Sequence, residues 1–164
     1  MRVFVESVLP CEADRAWAEV QTSDLLREVA RPLIFFRPAR GEKLPKRWLA
    51  GTTVRCISYL LGLIPLGLRT LLFERIDPQL REIHTRERDA LVRRWDHCIR
   101  VQPLDAAHCR YSDEIEIDAG PLTSVVSVFA TWFYRHRQRR WQAVARRLHA
   151  APAGNYRCLP PTSA

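Results

Sequence analysis

The feature that most constrains this chain is a change of hydrophobic period at Gly120-Pro121. Before it, apolar residues alternate with polar ones through one short segment after another. After it, Val126, Phe129, Phe133, Arg137, Trp141, Val144 and Leu148 recur three or four residues apart, the spacing of one helix face. The run predicts a helix of up to about 28 residues, on the order of 40 Å at 1.5 Å per residue. Pro121 fits its first turn. In a chain of 164 residues, a helix that long must bury its apolar stripe against whatever precedes it.

What precedes it reads mostly as strands. Arg2 to Leu9 alternates and is stopped by Pro10. Glu12 to Gln21 reads as a helix with Ala13, Trp17 and Val20 on one face. Thr22-Ser23-Asp24 supplies a break and a fresh N-cap for a second short helix, Leu25 to Ala30, ended by Pro32. Leu33 to Phe36 is a short strand and 39–48 a charged loop. Strand signals return at Thr52–Tyr59, Leu68–Asp77, Leu80–Glu87, Leu91–Gln102 and His108–Ala119. Turns are marked by Gly62, Pro65 and Gly67, by Asp77-Pro78, by Arg88-Asp89, and by Pro103 to Ala107. Sequential strands with segregated helices are the α+β signature. The expectation is a seven-stranded curved antiparallel sheet around the C-terminal helix, with two short helices after the first strand. One domain spans 1–150, and 151–164 reads as a flexible tail.

Composition excludes several classes. The net charge is +8 and the pI about 9.8, and every basic residue except Lys43 and Lys46 is Arg. That balance suits nucleic acid or anionic membrane, but the plain bias of an Arg- and Ala-rich composition is the leading reading; nucleic acid is not the expected partner. The cysteines number five, with no CxxC spacing. They read as free thiols of a cytoplasmic protein, with no metal centre. No cofactor is expected. Glu6 interrupts the N-terminal apolar run, which does not read as a signal peptide. The longest uncharged stretch, Cys56 to Leu68, is broken by Pro65 and two glycines and falls short of the roughly 20 residues of a membrane span.

The order of elements, with several local patterns, resembles the START-like superfamily, also called the SRPBCC or polyketide cyclase/lipid transport group. Trp95-Asp96-His97 followed by Tyr111-Ser112-Asp113-Glu114-Ile115 resembles a W-x-H and D-x-V/I pairing. Glu74-Arg75-Ile76-Asp77-Pro78 resembles the strand-turn before it. Ala119-Gly120-Pro121-Leu122 resembles the approach to the final helix, and Tyr134-Arg135-His136-Arg137 its middle. The resemblance covers residues 2 to 149. It implies a helix-grip fold with a hydrophobic cavity that binds lipids, polyketides or isoprenoids. It carries over no catalytic residue, because that superfamily has no universal one.

The sharpest candidate pair is His97 and Asp113. Trp95, His97, Ile99 and Val101 share one strand face, and Cys109, Tyr111, Asp113, Ile115 and Ile117 share another. These are the more apolar faces and should look inward. A short hairpin loop sets His97 opposite Asp113; a five-residue loop offsets them by two, still within diagonal reach. The pair reads as a ligand anchor, as a general base with its orienter, or as a structural pair fixing register. Glu74 shares a strand face with Leu68, Thr70, Leu72 and Ile76. It reads as a second inward polar point or as a rim position. Trp95, Ile99, Tyr111 and Ile115 are expected to line the cavity, and Phe129 and Phe133 to close it.

Two surface features remain. Arg135, His136, Arg137, Arg139 and Arg140, with Arg146 and Arg147, make the last helix basic. This reads as a solvated face near a helix C-terminus or as a surface for phosphates or anionic lipid. Trp132 and Trp141 have core spacing. The apolar tip Leu60, Leu61, Leu63, Ile64 reads as a cavity lip touching membrane, or as a patch packed on the 38–48 loop or another subunit. Three functions follow: a carrier of an apolar small molecule, a cyclase or dehydratase using His97 and Asp113, and an interaction module using the basic helix. The first leads, so an enzyme is not the leading expectation. Oligomeric state does not follow from the sequence.

Overall fold

The computed structural model describes residues 1–150; the tail expected over 151–164 lies outside the described residues. The chain runs β1 (Arg2–Leu9), α1 (Ala13–Val20), α2 (Ser23–Ala30), β2 (Ile34–Pro38), β3 (Thr53–Leu60), β4 (Ile64–Asp77), β5 (Glu82–Arg88), β6 (Arg94–Pro103) and β7 (Cys109–Asp118). A 3-10 turn at Gly120–Leu122 leads into α3 (Thr123–Ala150). The strands form one seven-stranded antiparallel sheet, ordered β1-β7-β6-β5-β4-β3-β2. It is the curved sheet and long helix that the change of period predicts.

Local chemistry explains the boundaries. Pro10 closes β1, and the Thr22 hydroxyl caps α2 by accepting the Leu25 N–H at 3.2 Å. Asp77 Oδ1 accepts the Gln79 and Leu80 N–H groups at 3.0 Å each, folding the β4–β5 turn. Asp89 Oδ1 does the same for Leu91 and Val92, so β6 starts three residues later than the alternation suggests. Pro121 falls in the 3-10 turn ahead of α3, whose first residue, Thr123, accepts the Ala119 N–H at 2.9 Å.

The largest departure is β4. Pro65 and Gly67, read as turn residues, lie inside the strand, and the turn is only Leu61-Gly62-Leu63. Proline is tolerated because this end of β4 projects beyond β5 and pairs with β3 alone, at a bulge where Tyr59 faces Pro65 and Ser58 faces Gly67. A second bulge sits at Glu74: Phe73 pairs with Thr85 and Arg75 with His84. The extra residue shifts the inward phase from odd to even positions. Arg69, Leu71 and Phe73 therefore face in before it, and Ile76 after it.

The helix α3 lies along β1 and β7 and against α2. Under it, Val3, Ile115, Ile117, Ala130, Phe133 and Tyr134 make one buried cluster. A larger cluster joins α1 and α2 to the far end of the sheet through Trp17, Leu25, Trp48, Phe73, Ile83 and Trp141. Trp48 stacks on Phe73 at 4.5 Å.

Candidate binding cavity

Because α3 covers only the β1–β7 side, the concave face over β3 to β6 is left with a cavity of about 390 Å³. Its sheet wall carries Leu71, Phe73, Trp95 and Ile99; its helix wall carries Val126, Phe129 and Phe133. Leu66, Leu91 and Val125 line it and are also exposed, which marks the mouth between the β3–β4 tip and the start of α3. Of the tip residues, Leu61, Leu63 and Ile64 stand exposed, Leu63 at 82%, while Leu60 turns into the cavity.

The cavity has one polar wall. His97 lines it at 5% exposure, and its Nε2 meets Asp113 Oδ1 at 2.8 Å. The hairpin loop is five residues long, so Ile99 faces Asp113 and His97 faces Ile115; the contact is diagonal. Asp113 is fully buried and takes two more donors, the Tyr111 hydroxyl at 3.1 Å and the Gln138 amide at 2.9 Å. Burial works against its charge, but the His97 hydrogen bond and the Arg137 guanidinium outweigh that and hold the carboxyl below its ordinary range. With Asp113 ionised, Nε2 donates its proton. The other nitrogen, Nδ1, lies 3.9 Å from Glu87 Oε1.

A second polar group stands beside the first. Arg69 bonds Asp89 at 2.7 Å and Glu87 at 3.3 Å, and its guanidinium lies 4.9 Å over the Trp95 ring. Burial opposes the Arg69 charge; Glu87 and Asp89 overcome this and raise its pKa. The Thr85 hydroxyl donates to Glu87 at 3.1 Å, and the Trp95 indole donates to Tyr134 Oη at 3.2 Å. Arg137 completes the wall from α3. Its guanidinium lies over the Tyr134 ring at 4.9 Å and the Phe133 ring at 5.9 Å.

Several expected placements change. Tyr111, Asp113 and Ile115 face inward but do not line the cavity, because α3 sits directly on β7. Trp95, His97, Ile99, Phe129 and Phe133 do line it. Glu74 points outward: its side chain is 45% exposed and pairs with Arg86 at 2.6 Å, since the bulge turns that residue to the outer face. The carboxylates that line the cavity are instead Glu87 and Asp89. Alternation of Ile83, Thr85 and Glu87 marks the first of these in the sequence. Arg137 belongs to the buried face rather than the solvated one, as its place between Phe133 and Trp141 in the helical repeat signals. Other basic residues dock the helix: Arg140 donates to the Glu28 carbonyl at 3.1 Å, and Arg147 pairs with the Glu28 carboxylate. Trp141 is core, but Trp132 is exposed.

On the outer face, donor atoms of Glu82, His84 and Cys98 lie within 4.8 Å of one another. Arg100 bonds Glu82 at 2.6 Å and Arg75 sits 2.8 Å from His84, so these donors already serve a charge network. Cys11, Cys56, Cys98 and Cys109 are free thiols, and Cys98 is only partly buried. No helix among the described residues is long and apolar enough to cross a membrane.

A long helix gripped by a curved antiparallel sheet, with a cavity between them, is the helix-grip fold. Residues 7–145 match the family described as Domain of unknown function (DUF8410), and the chain belongs to that family. No curated protein matches it. Among solved structures it is similar to a START superfamily protein from Mycobacterium smegmatis, at 12% identity and a TM-score of 0.69, covering 90% of this chain and 98% of that one. It is similar to the Zhui aromatase/cyclase from a Streptomyces species, at 15% identity and a TM-score of 0.68, covering 95% and 99%. Norcoclaurine synthase from Thalictrum flavum, in complex with dopamine and hydroxybenzaldehyde, is a third, at 14% identity and a TM-score of 0.64, covering 90% and 87%.

Proposed function

We propose that this chain binds an apolar small molecule, of lipid, isoprenoid or polyketide kind, in the cavity between the sheet and α3. The observation that carries this reading is the cavity's size and lining, about 390 Å³ bounded chiefly by aliphatic and aromatic side chains. That volume lies in the range of small-molecule sites. An apolar wall gains dispersion contacts from any apolar body that fits against it. One similar structure, norcoclaurine synthase, is in complex with dopamine and hydroxybenzaldehyde, which supports a small molecule with an aromatic body as an occupant of this fold. Exposed Leu61, Leu63 and Ile64 beside the mouth suit transfer of such a ligand at a membrane surface. The free thiols suit a reducing cytoplasm.

The test is a fluorescence titration with N-phenyl-1-naphthylamine, a neutral apolar probe. The native protein should bind it saturably at one site. Ile99→Trp, which places an indole in the cavity, should abolish that binding while the fold stays cooperative. Absence of saturable binding by the native protein contradicts the reading.

One observation favours a second reading, an acid–base enzyme of the cyclase or dehydratase kind. His97 faces the cavity with Asp113 bound at its far nitrogen, the arrangement of a base and its orienter. A base so placed would exchange the α-protons of a bound ketone. 2-Acetonaphthone in heavy water should then take up deuterium faster with the native protein than with His97→Asn. Equal rates leave the binding reading alone.

A further inference from the structure

The Arg137 guanidinium is the one charged group on the cavity wall that the fold leaves without a hydrogen bond among the described residues. Arg69 is occupied by Glu87 and Asp89. His97 is occupied by Asp113. Arg137 is 8% exposed, and its Nε has no partner. Its neighbours are two ring faces and, through space, the carboxylates of Asp113 and, more weakly, Glu87, the latter already held by Arg69. Asp113 already accepts three hydrogen bonds from other side chains. A guanidinium offers five N–H donors and no acceptor. Buried donors are nearly always paired, and each orphan needs an explanation. Ser58 Oγ, on the sheet wall of the same cavity, is likewise buried and unpartnered.

We propose that the ligand of this cavity carries an anionic oxygen, such as a carboxylate or an ionised enol or phenol, which seats on Arg137 while its apolar body lies against Trp95, Ile99 and Phe129. This rests on the binding reading above and specifies the ligand's polar end. The energetics favour it. The cost of removing Arg137 from water is met when the protein folds, so the ligand has only its own head group to dehydrate. A guanidinium binds a carboxylate through two parallel charge-assisted bonds, and a neutral ester can accept only weaker ones. The mouth, bounded by Leu66, Leu91 and Val125, is apolar, so the head group enters first and the hydrocarbon end is left near the opening.

The experiment is a displacement titration at pH 7. N-phenyl-1-naphthylamine is displaced from the native protein by 2-naphthoic acid and, separately, by methyl 2-naphthoate. The acid should bind about tenfold or more tightly than the ester, the scale of a charge-assisted pair. Arg137→Met should lose that preference and still bind the neutral probe. Because the acid is compared with its ester in each protein, a merely structural role for Arg137 would shift both together. Should Arg137→Met fail to fold, the Arg137 Nε–H resonance of the native protein decides: it should shift with the acid and stay still with the ester. An ester that binds as well as the acid, a preference that survives in Arg137→Met, or an unmoved resonance overturns the proposal. Failure of the neutral probe to bind the native protein overturns the binding reading, and this proposal with it.

Discussion

Strands β6 and β7 are neighbours in one hairpin, yet their inward faces meet different surroundings. On β7, Tyr111, Asp113 and Ile115 lie beneath α3, buried and fully packed. On β6, Trp95, His97 and Ile99 look into the cavity. The sheet's curvature is continuous across the pair; what changes is where the single helix lies. A helix about 10 Å wide covers two strands, whereas strands about 4.8 Å apart carry the concave face well beyond it. One half of the molecule therefore holds the fold together, and the other half is free to hold something else. Asp113 joins the halves. From the closed side it anchors His97 on the open side.

That division predicts unequal effects of mutation. The largest belongs to Asp113. Replacing it by Ala strands His97, Tyr111 and Gln138, three buried donors, without their acceptor. The expected loss is about 3–5 kcal/mol in urea denaturation. Its titration gives the sign of the pH dependence. The folded carboxyl ionises below its ordinary value, so its contribution is complete above about pH 4, the unfolded value, and fades as pH falls through the folded one. Stability should drop with acid in that window, and Asp113→Asn should flatten the slope there. A steeper slope in the variant contradicts the assignment.

Next in size is a matched pair of truncations. Ile115→Ala opens a void in the closed half and should cost about 3 kcal/mol. Ile99→Ala removes the same atoms from a wall that already faces the cavity, and should cost roughly half as much. Equal losses would mean that the two halves are packed alike. The smallest effect is expected at Glu74. Its pair with Arg86 is exposed on the outer face, so Glu74→Ala should change stability by about 0.5 kcal/mol or less and leave probe affinity unchanged. A clear loss of affinity would return Glu74 to the cavity.

These differences also show what the sequence could and could not convey. The strand and helix order is legible because periods of two and of 3.6 are written in the side chains themselves. The His97–Asp113 contact is legible too, since alternation puts both residues on inward faces and either loop length leaves them in reach. The inward face of β4 is not. Leu68, Leu72 and Ile76 make one of its faces as apolar as the other, and a bulge at Glu74 changes the phase midway. Pro65 and Gly67 imitate a turn because nothing local shows that β4 overhangs β5. Which inward residues meet open space depends on where α3 comes to rest, a tertiary fact. Tyr111 and Ile115 therefore look no different in sequence from Trp95 and Ile99. Arg137 is the opposite case. Its helical spacing places it inside, and only its charge suggests solvent.

The central claim is that the open half binds a ligand and the closed half does not. Isoleucine methyl groups report on both. Ile34 and Ile99 line the cavity, whereas Ile115 and Ile117, in the same buried cluster as Ile34, do not reach it. In methyl NMR spectra of isoleucine-labelled protein titrated with N-phenyl-1-naphthylamine, the Ile34 and Ile99 signals should move saturably with one shared Kd. The Ile115 and Ile117 signals should move little or not at all. Shifts centred on Ile115 and Ile117, or no saturable shift anywhere, would contradict the account.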